Sequence, residues 1–440
     1  MMTRTRASVA IAALIALSAC GIFKGGGKKT PVLGDRIPIL LSEAPVEADK
    51  TIAAVEVLLP APETNTVWAQ PGGNASKSMG QLALGQSLSR VWVAGVNGGS
   101  NRQRLAAPPV IADGRLYAMD VDSTVHAFAA TTGAQAWSVQ LASGKKNKDA
   151  RFGGGVSFDD GKVYATDGLG DVVALNAADG KEVWRSKPGG PLRGAPTVSN
   201  GNVYVLSQDN QLFALNQADG KVAWQSSGSL ESQGVFGVAA PAAGSGSVIA
   251  GFSSGELNAY RYENGRALWQ DALSRSAIST SVSSLADIDA SPVIDQGRVY
   301  AVGQGGRTVA VDIGTGRRVW SQNFAGISTP WLAGEWLFLV TDDARLVCLS
   351  RATGKVRWIT QLRGFTNQKK RSGTITWFGP VLAGGRLILT NSEGQIVSVA
   401  AGSGEVGTII KSGAPFDLSP IVANNTLYVM DMKGRIASYK

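Results

Sequence analysis

Short apolar runs separated by turn residues recur along most of the chain. Between residues 196 and 224 four such runs follow one another, at 196–198, 203–206, 212–215 and 222–224. Each run has the length of a strand and is bounded by Gly, Asn, Asp or Pro, and no apolar stripe at helical spacing is present. The pattern therefore predicts four short strands joined by tight turns in this unit.

The four-strand unit repeats with a fixed marker, a glycine followed four residues later by a tryptophan. Gly404 has Thr408 in the tryptophan position, and Trp92 lies one period upstream without its glycine. Successive markers are 38 to 51 residues apart, which is the spacing of a repeat architecture. The tryptophans in this register, predicted to pack between units, are Trp92, Trp137, Trp184, Trp224, Trp269, Trp320 and Trp358.

Four strands per unit predict an all-β fold, an eight-bladed β-propeller of four-stranded antiparallel blades. Leucine-rich and helical solenoids are disfavoured because their Leu/Asn ladders or helical periodicity are missing. Seven units end at residues 137, 184, 224, 269, 320, 358 and 408. The chain then supplies three strands up to Lys440, and the strand around Trp92 is expected to complete this eighth blade. We expect the propeller to cover residues 81–440.

The N-terminus has the features of an export signal rather than of a fold. Arg4 and Arg6 precede a short apolar stretch at 9–17, which is too short to span a membrane. The following Leu-Ser-Ala-Cys at 17–20 resembles a bacterial lipobox, which implies a signal peptide at 1–19 and lipid on Cys20. The alternative is an ordinary secretion signal. We expect residues 20–80 to be the lipidated N-terminus and a tether that partly packs on the propeller, with Trp68 as a candidate anchor.

Composition adds few candidates for chemistry. The chain has 440 residues, a formal net charge of +9, one histidine and two cysteines. His126 is expected to pack within a blade, and Cys348 to be a buried apolar residue rather than a reactive thiol. The segment 303–306 is Gly-Gln-Gly-Gly and is interpreted as a hairpin turn, because no helix pattern follows it. We expect no cofactor, no metal site and no catalytic residue.

Three polar segments remain as candidate surfaces. Basic residues cluster at 145–151 and again at 369–371, either as solvated loop tips or as contacts with an acidic partner or membrane. Asp287 and Asp289 lie two residues apart, so on an extended segment their side chains point the same way. The alternative is that both aspartates cap turns. Nucleic acid is not expected as a partner of an exported protein.

The best copy of the repeat, Ala-Leu-Asn-Ala-Ala-Asp-Gly-Lys-Glu-Val-Trp at 174–184, resembles the quinoprotein (PQQ-type) propeller repeat. Eight blades, a lipobox and this chain length together resemble the BamB family of lipoproteins, and Asn65 and Trp68 resemble its alphaproteobacterial branch. The resemblance implies that Asp287 and Asp289 contact the periplasmic domains of BamA. It places a second contact near 234–240, where Val235 and Phe236 are apolar and the arginine common in the family is absent.

The function implied by this resemblance is a non-catalytic scaffold of the β-barrel assembly (BAM) complex. It would be anchored in the outer membrane, face the periplasm and bind BamA, other BAM components and unfolded outer-membrane proteins. One alternative is a PQQ-dependent dehydrogenase, although the vicinal cysteines typical of those enzymes are absent. The other alternative is a propeller that binds glycans or the cell wall.

Overall fold

A computed structural model describes residues 46–100, 102–142, 150–151, 153–230, 237–273, 287–304 and 306–440. The expected signal peptide and Cys20 lie outside the described residues. Val235 and Phe236 also lie outside them, as do Lys145, Lys146 and Lys148 of the first basic run. Within the described residues, no helix is long and apolar enough to cross a membrane.

Apart from a 3₁₀ position at Ala150, strands account for the regular secondary structure in the described residues. Their bounds are β1 Arg90–Gly95, β2 Val110–Ala112, β3 Arg115–Met119, β4 Thr124–Ala129, β5 Gln135–Gln140, β6 Gly154–Asp159, β7 Lys162–Asp167, β8 Val172–Asn176, β9 Glu182–Ser186, β10 Thr197–Ser199, β11 Asn202–Leu206, β12 Gln211–Asn216, β13 Val222–Ser227, β14 Ala242–Gly244, β15 Ser247–Gly251, β16 Glu256–Arg261 and β17 Ala267–Ala272. The remainder are β18 Val293–Asp295, β19 Arg298–Val302, β20 Thr308–Asp312, β21 Arg318–Gln322, β22 Trp331–Ala333, β23 Trp336–Val340, β24 Arg345–Ser350, β25 Val356–Gln361, β26 Phe365–Asn367, β27 Ser372–Thr374, β28 Trp377–Ala383, β29 Arg386–Asn391, β30 Gln395–Ala400, β31 Val406–Lys411, β32 Ile421–Ala423, β33 Thr426–Met430 and β34 Arg435–Tyr439.

The strands form eight four-stranded antiparallel sheets, which confirms the predicted propeller. Blades 1 to 6 are the consecutive quartets from β2–β5 to β22–β25, and blade 7 is β28–β31. Blade 8 has the order β1-β34-β33-β32, so the strand around Trp92 completes it as predicted. The two-stranded hairpin β26–β27, between blades 6 and 7, was not predicted from the sequence.

The tight turns explain why the apolar runs end where they do. In the first hairpin of blade 3, Asn200 and Gly201 both have positive φ, at 52° and 74°. A two-residue hairpin turn of this type needs φ > 0 at both central positions, which Asn and Gly tolerate best. Inner strands such as β11 are almost entirely buried, whereas the outer strand β13 alternates between exposed and buried positions.

Each repeat tryptophan packs against the next blade. Its indole Nε1 donates a hydrogen bond of 2.7 to 3.1 Å to a carbonyl in the outer turn of that blade. A Cβ added to the glycine of that same turn would lie within 3 Å of the ring, so the glycine is needed to admit the indole. The pairs are Trp92–Gly133, Trp137–Gly180, Trp184–Gly220, Trp224–Gly265, Trp269–Gly316, Trp320–Gly354 and Trp358–Gly404.

Thr408 of β31 replaces the tryptophan at the point where the ring closes. Blade 8 has no outer turn to receive an indole, because its two outer strands come from opposite regions of the chain. Their ends are instead joined by reciprocal backbone hydrogen bonds between Ser89 and Lys440, of 2.9 and 3.0 Å. The missing tryptophan is therefore a consequence of the closure.

A segment before the first strand runs around one end of the propeller, and we call residues 65–82 the strap. It hydrogen-bonds to the innermost strand of all eight blades in chain order: Asn65 to Val422, Trp68 to Ile111, Ala69 to Phe158, Gln70 to Val198, Ala75 to Ala243, Ser76 to Ile294, Gly80 to Trp331 and Leu82 to Leu382. Trp68 is only 2 % exposed and stacks on Trp331 with ring centroids 6.0 Å apart. The strap thus links every blade to its neighbours.

Candidate functional site

Arg193 holds the two aspartates singled out from the sequence. Its Nη2 donates to Asp287 Oδ1 at 2.8 Å and to Asp289 Oδ1 at 3.2 Å. Arg193 lies in the loop that enters blade 3, and both aspartates lie in the loop that enters blade 5. The expectation that both carboxylates point the same way is confirmed, since both reach one guanidinium. No turn-capping bond from either carboxylate is among the described contacts.

This cluster is internal rather than exposed. Arg193 and Asp287 are each about 1 % exposed, and the Asp289 side chain is 10 % exposed. Burial and the neighbouring Asp287 raise the pKa of Asp289 to about 6, although Arg193 opposes this shift. One buried cation faces two carboxylates, so the loss of Arg193 would leave two buried acidic groups without a counter-charge. The aspartates therefore fix the positions of loops, and their oxygens present little surface to a partner.

A third loop packs directly on this cluster. Gly237, in the loop that enters blade 4, approaches so closely that a Cβ there would overlap the Arg193 guanidinium and the Asp289 carboxylate. A Cβ on Gly194 would likewise overlap the carbonyl of Val238. The predicted contact near 234–240 and the predicted contact at 287–289 therefore meet at Arg193. Whether Val235 and Phe236 contact a partner stays a prediction, since they lie outside the described residues.

Two exposed aliphatic side chains lie in the loop that enters blade 4. Leu230 is 80 % exposed, the highest value among the exposed large hydrophobic residues of the described chain, and Val238 is 38 % exposed. Sequence reasoning missed both of them, and it missed Arg193. The signal for Arg193 was an arginine within a short loop of Pro, Leu, Gly and Ala at 191–196, where a lone charge needs a partner.

The other residues singled out from the sequence lie within blades or in the turns between strands. His126 lies in β4, with Nε2 at 3.0 Å from Asp120 Oδ2 and its ring stacked on Phe128. Cys348 is a free and fully buried residue of β24, where burial raises the pKa of its thiol. β19 and β20 are adjacent antiparallel strands, so the predicted hairpin connection lies between them, although Gly305 of the predicted turn is outside the described residues. Among the described residues, no group of three or more His, Cys, Asp and Glu side chains could hold a metal ion.

The two basic runs differ in their surroundings. Arg151, at the end of the first run, is buried, and its carbonyl accepts a hydrogen bond from Ser123 Oγ at 2.9 Å. Lys369, Lys370 and Arg371 form the exposed tip of the β26–β27 hairpin. The second run thus has the surface position expected of a loop tip. The sequence alone does not show that Arg151 of the first run is buried while the second run is exposed.

Comparison with known proteins shows the family. A family model described as "Outer membrane protein assembly factor BamB" matches residues 89–149 and 121–360. The Salmonella typhimurium protein of that name is 33 % identical over 352 residues, which cover 79 % of this chain and 87 % of the relative. The chain belongs to the BamB family. The PQQ-like character of its repeats is shared with that family.

Other BamB family members and solved structures agree. The Escherichia coli K12 protein is also 33 % identical, and the Shewanella oneidensis protein is 27 % identical, each over 79 % of this chain and 87 % of the relative. The crystal structure of BamB from Moraxella catarrhalis has a TM-score of 0.68 at 19 % identity and covers 80 % of this chain and all of that one. A quinohemoprotein alcohol dehydrogenase from Comamonas testosteroni has a TM-score of 0.67 at 14 % identity, covering 85 % of this chain and 80 % of that one. That likeness shows a common fold alone.

Proposed function

We propose that this member of the BamB family is a non-catalytic assembly factor for outer-membrane β-barrel proteins. Relatives that align over most of its length have the name "Outer membrane protein assembly factor". The observation that carries the proposal is the Arg193 cluster, which joins the loops entering blades 3, 4 and 5 into one surface. The two regions for which the family resemblance implies a contact converge there.

The partner that we propose for this surface is BamA, through its periplasmic domains, with other BAM components and unfolded outer-membrane proteins as further partners. Arg193, Asp287 and Asp289 act as positioning residues, because they are buried and bond to one another. Contact itself is made by the exposed apolar side chains of the loop that enters blade 4, Leu230 and Val238. Covering these aliphatic side chains with a partner would remove apolar surface from water, which favours association.

Co-purification with single substitutions tests the surface. Leu230→Asp and Val238→Asp each place a charge where we propose an apolar contact, so BamA recovered with the solubilised protein should fall at least tenfold. Leu58→Asp is the matched control, because Leu58 is 68 % exposed and lies in the N-terminal segment away from these loops. Equal recovery of BamA with all three variants, each with unchanged thermal stability, would contradict the proposed surface.

We propose that the protein faces the periplasm and is held in the outer membrane by lipid on Cys20. The lipobox-like sequence at 17–20 supports this proposal, and residues 21–45 provide length for a tether. Cys20→Ala should release a soluble periplasmic form on cell fractionation, while Cys348→Ala should stay in the membrane fraction. Membrane retention of the Cys20→Ala variant would exclude this anchor.

The non-catalytic part of the proposal has its own test. The purified protein supplied with PQQ, calcium and a primary alcohol should not reduce an electron-acceptor dye above the rate without protein. Turnover that depends on both PQQ and the protein would instead favour the dehydrogenase alternative.

A further inference from the structure

A cavity of about 490 Å³ lies inside the ring of blades. Trp68, Pro71, Gly72 and Lys77 of the strap line it. Its walls come from the loops that enter blades 1 and 3 to 8, and exposed Arg104 lies on its solvent side. The volume is within the range of small-molecule sites, roughly 300–1,000 Å³. The strap therefore contributes part of the wall of a pocket inside the ring.

The walls of the pocket are largely aromatic and aliphatic. Trp331, Phe378, Phe416 and Ile327 line it together with Trp68 of the strap. Trp331 is already bonded through its indole nitrogen to the Gly80 carbonyl, at 2.7 Å, so it offers only its ring surface. Such walls can bury the apolar body of a ligand.

Acceptor oxygens within these apolar walls have no partner. Both carboxylate oxygens of Asp417 are buried with no hydrogen bond of normal geometry, and so is Gln304 Oε1. The backbone N–H of Asp417 itself is close enough to oppose the rise of its pKa, but it does not complete a hydrogen bond. Asp417 lies between Phe416 and Leu418, and burial raises the pKa of its carboxyl to about 6. A buried carboxylate without a donor is costly, and a ligand that brought N–H groups would remove that cost.

The other charged groups of the pocket do not satisfy Asp417. Lys77 Nζ donates to Thr197 Oγ1 at 3.0 Å, and burial lowers its pKa to about 7. Asp289 faces the pocket but is held by Arg193. Arg104 attracts Asp417 electrostatically, yet its side chain is solvent-exposed and no hydrogen bond joins the two.

We propose that this pocket binds an organic cation in which an ammonium or guanidinium group is attached to an aromatic or aliphatic body. The cationic group would donate hydrogen bonds to Asp417, and the body would pack against Phe416, Phe378 and Trp331. The same chemistry is found in small amines and in lysine or arginine side chains of a peptide. An aromatic polycarboxylate of similar size is disfavoured, because it would place negative charge beside Asp417.

Calorimetry with three probes tests the proposal on the full mature protein. Phenethylammonium should bind with millimolar or tighter affinity, and 3-phenylpropionate, an anion of matched shape, should not bind. Acetyl-Phe-Arg-amide distinguishes the sources: tighter binding of this peptide favours a polypeptide side chain, and weaker binding favours a small amine. No binding of either cation at 10 mM, or equal binding of the anion, would overturn the proposal.

Substitutions then locate the binding. Asp417→Asn should weaken phenethylammonium binding at least tenfold, because the charge is lost while the shape is kept. Asp219→Asn, at an exposed turn carboxylate on blade 3, should leave the affinity unchanged. If Asp417→Asn binds like wild type, the site is elsewhere and the proposal fails. BamA co-purification should be unaffected by Asp417→Asn, so this test is independent of the proposed assembly function.

Discussion

The indole of Trp184 occupies the space beside the α-carbon of Gly220 in the next blade. Trp184 Nε1 donates to the carbonyl of Gln217 in the same turn, at 3.0 Å, and a Cβ on Gly220 would lie 2.5 Å from the ring. The glycine that precedes each repeat tryptophan by four residues is therefore required by the tryptophan of the blade before it. The glycine of each sequence marker thus receives the tryptophan of the preceding repeat, and the pattern along the sequence reflects a contact between neighbouring blades.

Gly220→Ala should destabilise the protein more than Gly201→Ala. Both glycines have positive φ, of 72° and 74°, so an alanine at either site is strained by about 1–2 kcal/mol. Only Gly220 also faces an indole, while nothing lies within 4 Å of a Cβ at Gly201. Overpacking should add about 1–3 kcal/mol at Gly220, measured by urea unfolding. Equal losses of unfolding free energy at the two sites would show that the indole moves aside without destabilising the protein.

Arg193→Met should lower the free energy of unfolding by about 3–5 kcal/mol, because it leaves two buried carboxylates without their cation. The loss should be smaller at pH 5 than at pH 8, since Asp289, with a pKa of about 6, can take up a proton at the lower pH. Arg185→Met is the control, because its pair with Glu182 is partly exposed and contributes at most about 1 kcal/mol. A loss of the same size at both pH values would contradict this account of the cluster.

Trp68→Ala tests whether the strap contributes to the stability of the ring. Removing this buried indole and its stacking on Trp331 should cost about 3–5 kcal/mol in urea unfolding. Limited proteolysis should then cleave within 46–88 before it cleaves the blades. Leu58→Ala should change stability by less than about 0.5 kcal/mol, because Leu58 is largely exposed. Cleavage at the same rate in Trp68→Ala and wild type would indicate that the other strap contacts suffice.

Stability should fall as the pH rises from 4 to 7, and Asp417 should account for part of the fall. Its pKa is raised from 3.8 to about 6 by burial, so the folded state holds the proton more tightly than the unfolded chain. Ionisation above the unfolded value therefore favours unfolding. Asp417→Asn should be more stable than wild type at pH 7.5, on the order of 1–3 kcal/mol, and equal to it near pH 3.5. A variant less stable at pH 7.5 would mean that Asp417 has a donor when folded.

Asp342 and Asp289 should leave a residual pH dependence in that variant. Burial raises the pKa of each to about 6, with Asp343 acting on Asp342 and Asp287 acting on Asp289. Thermal unfolding of wild type and Asp417→Asn across pH 3.5 to 8 measures both effects together.

The sequence alone determined the repeat, the number of blades and the way the ring closes. These features rest on local signals, since turns such as Asn200–Gly201 and the alternation within β13 are encoded by adjacent residues. The regular spacing of the tryptophans shows that these local signals recur. Trp92 has no complete unit before it, which indicated that its strand joins the last blade. The sequence also indicated that Asp287 and Asp289 act as a pair, because they lie two residues apart.

Only the tertiary structure decided what the polar residues and the N-terminal segment do. Arg193 meets the aspartates from 94 and 96 residues away, and no periodic pattern encodes a contact at that separation. The strap forms no strand of its own, so its path past eight blades is set by at most a few hydrogen bonds at each blade, to strands far along the chain. Turns and strands follow from the preferences of adjacent residues and can therefore be predicted from the sequence. The contacts of Arg193 and of the strap join residues that are far apart along the chain, and they form only when the ring closes.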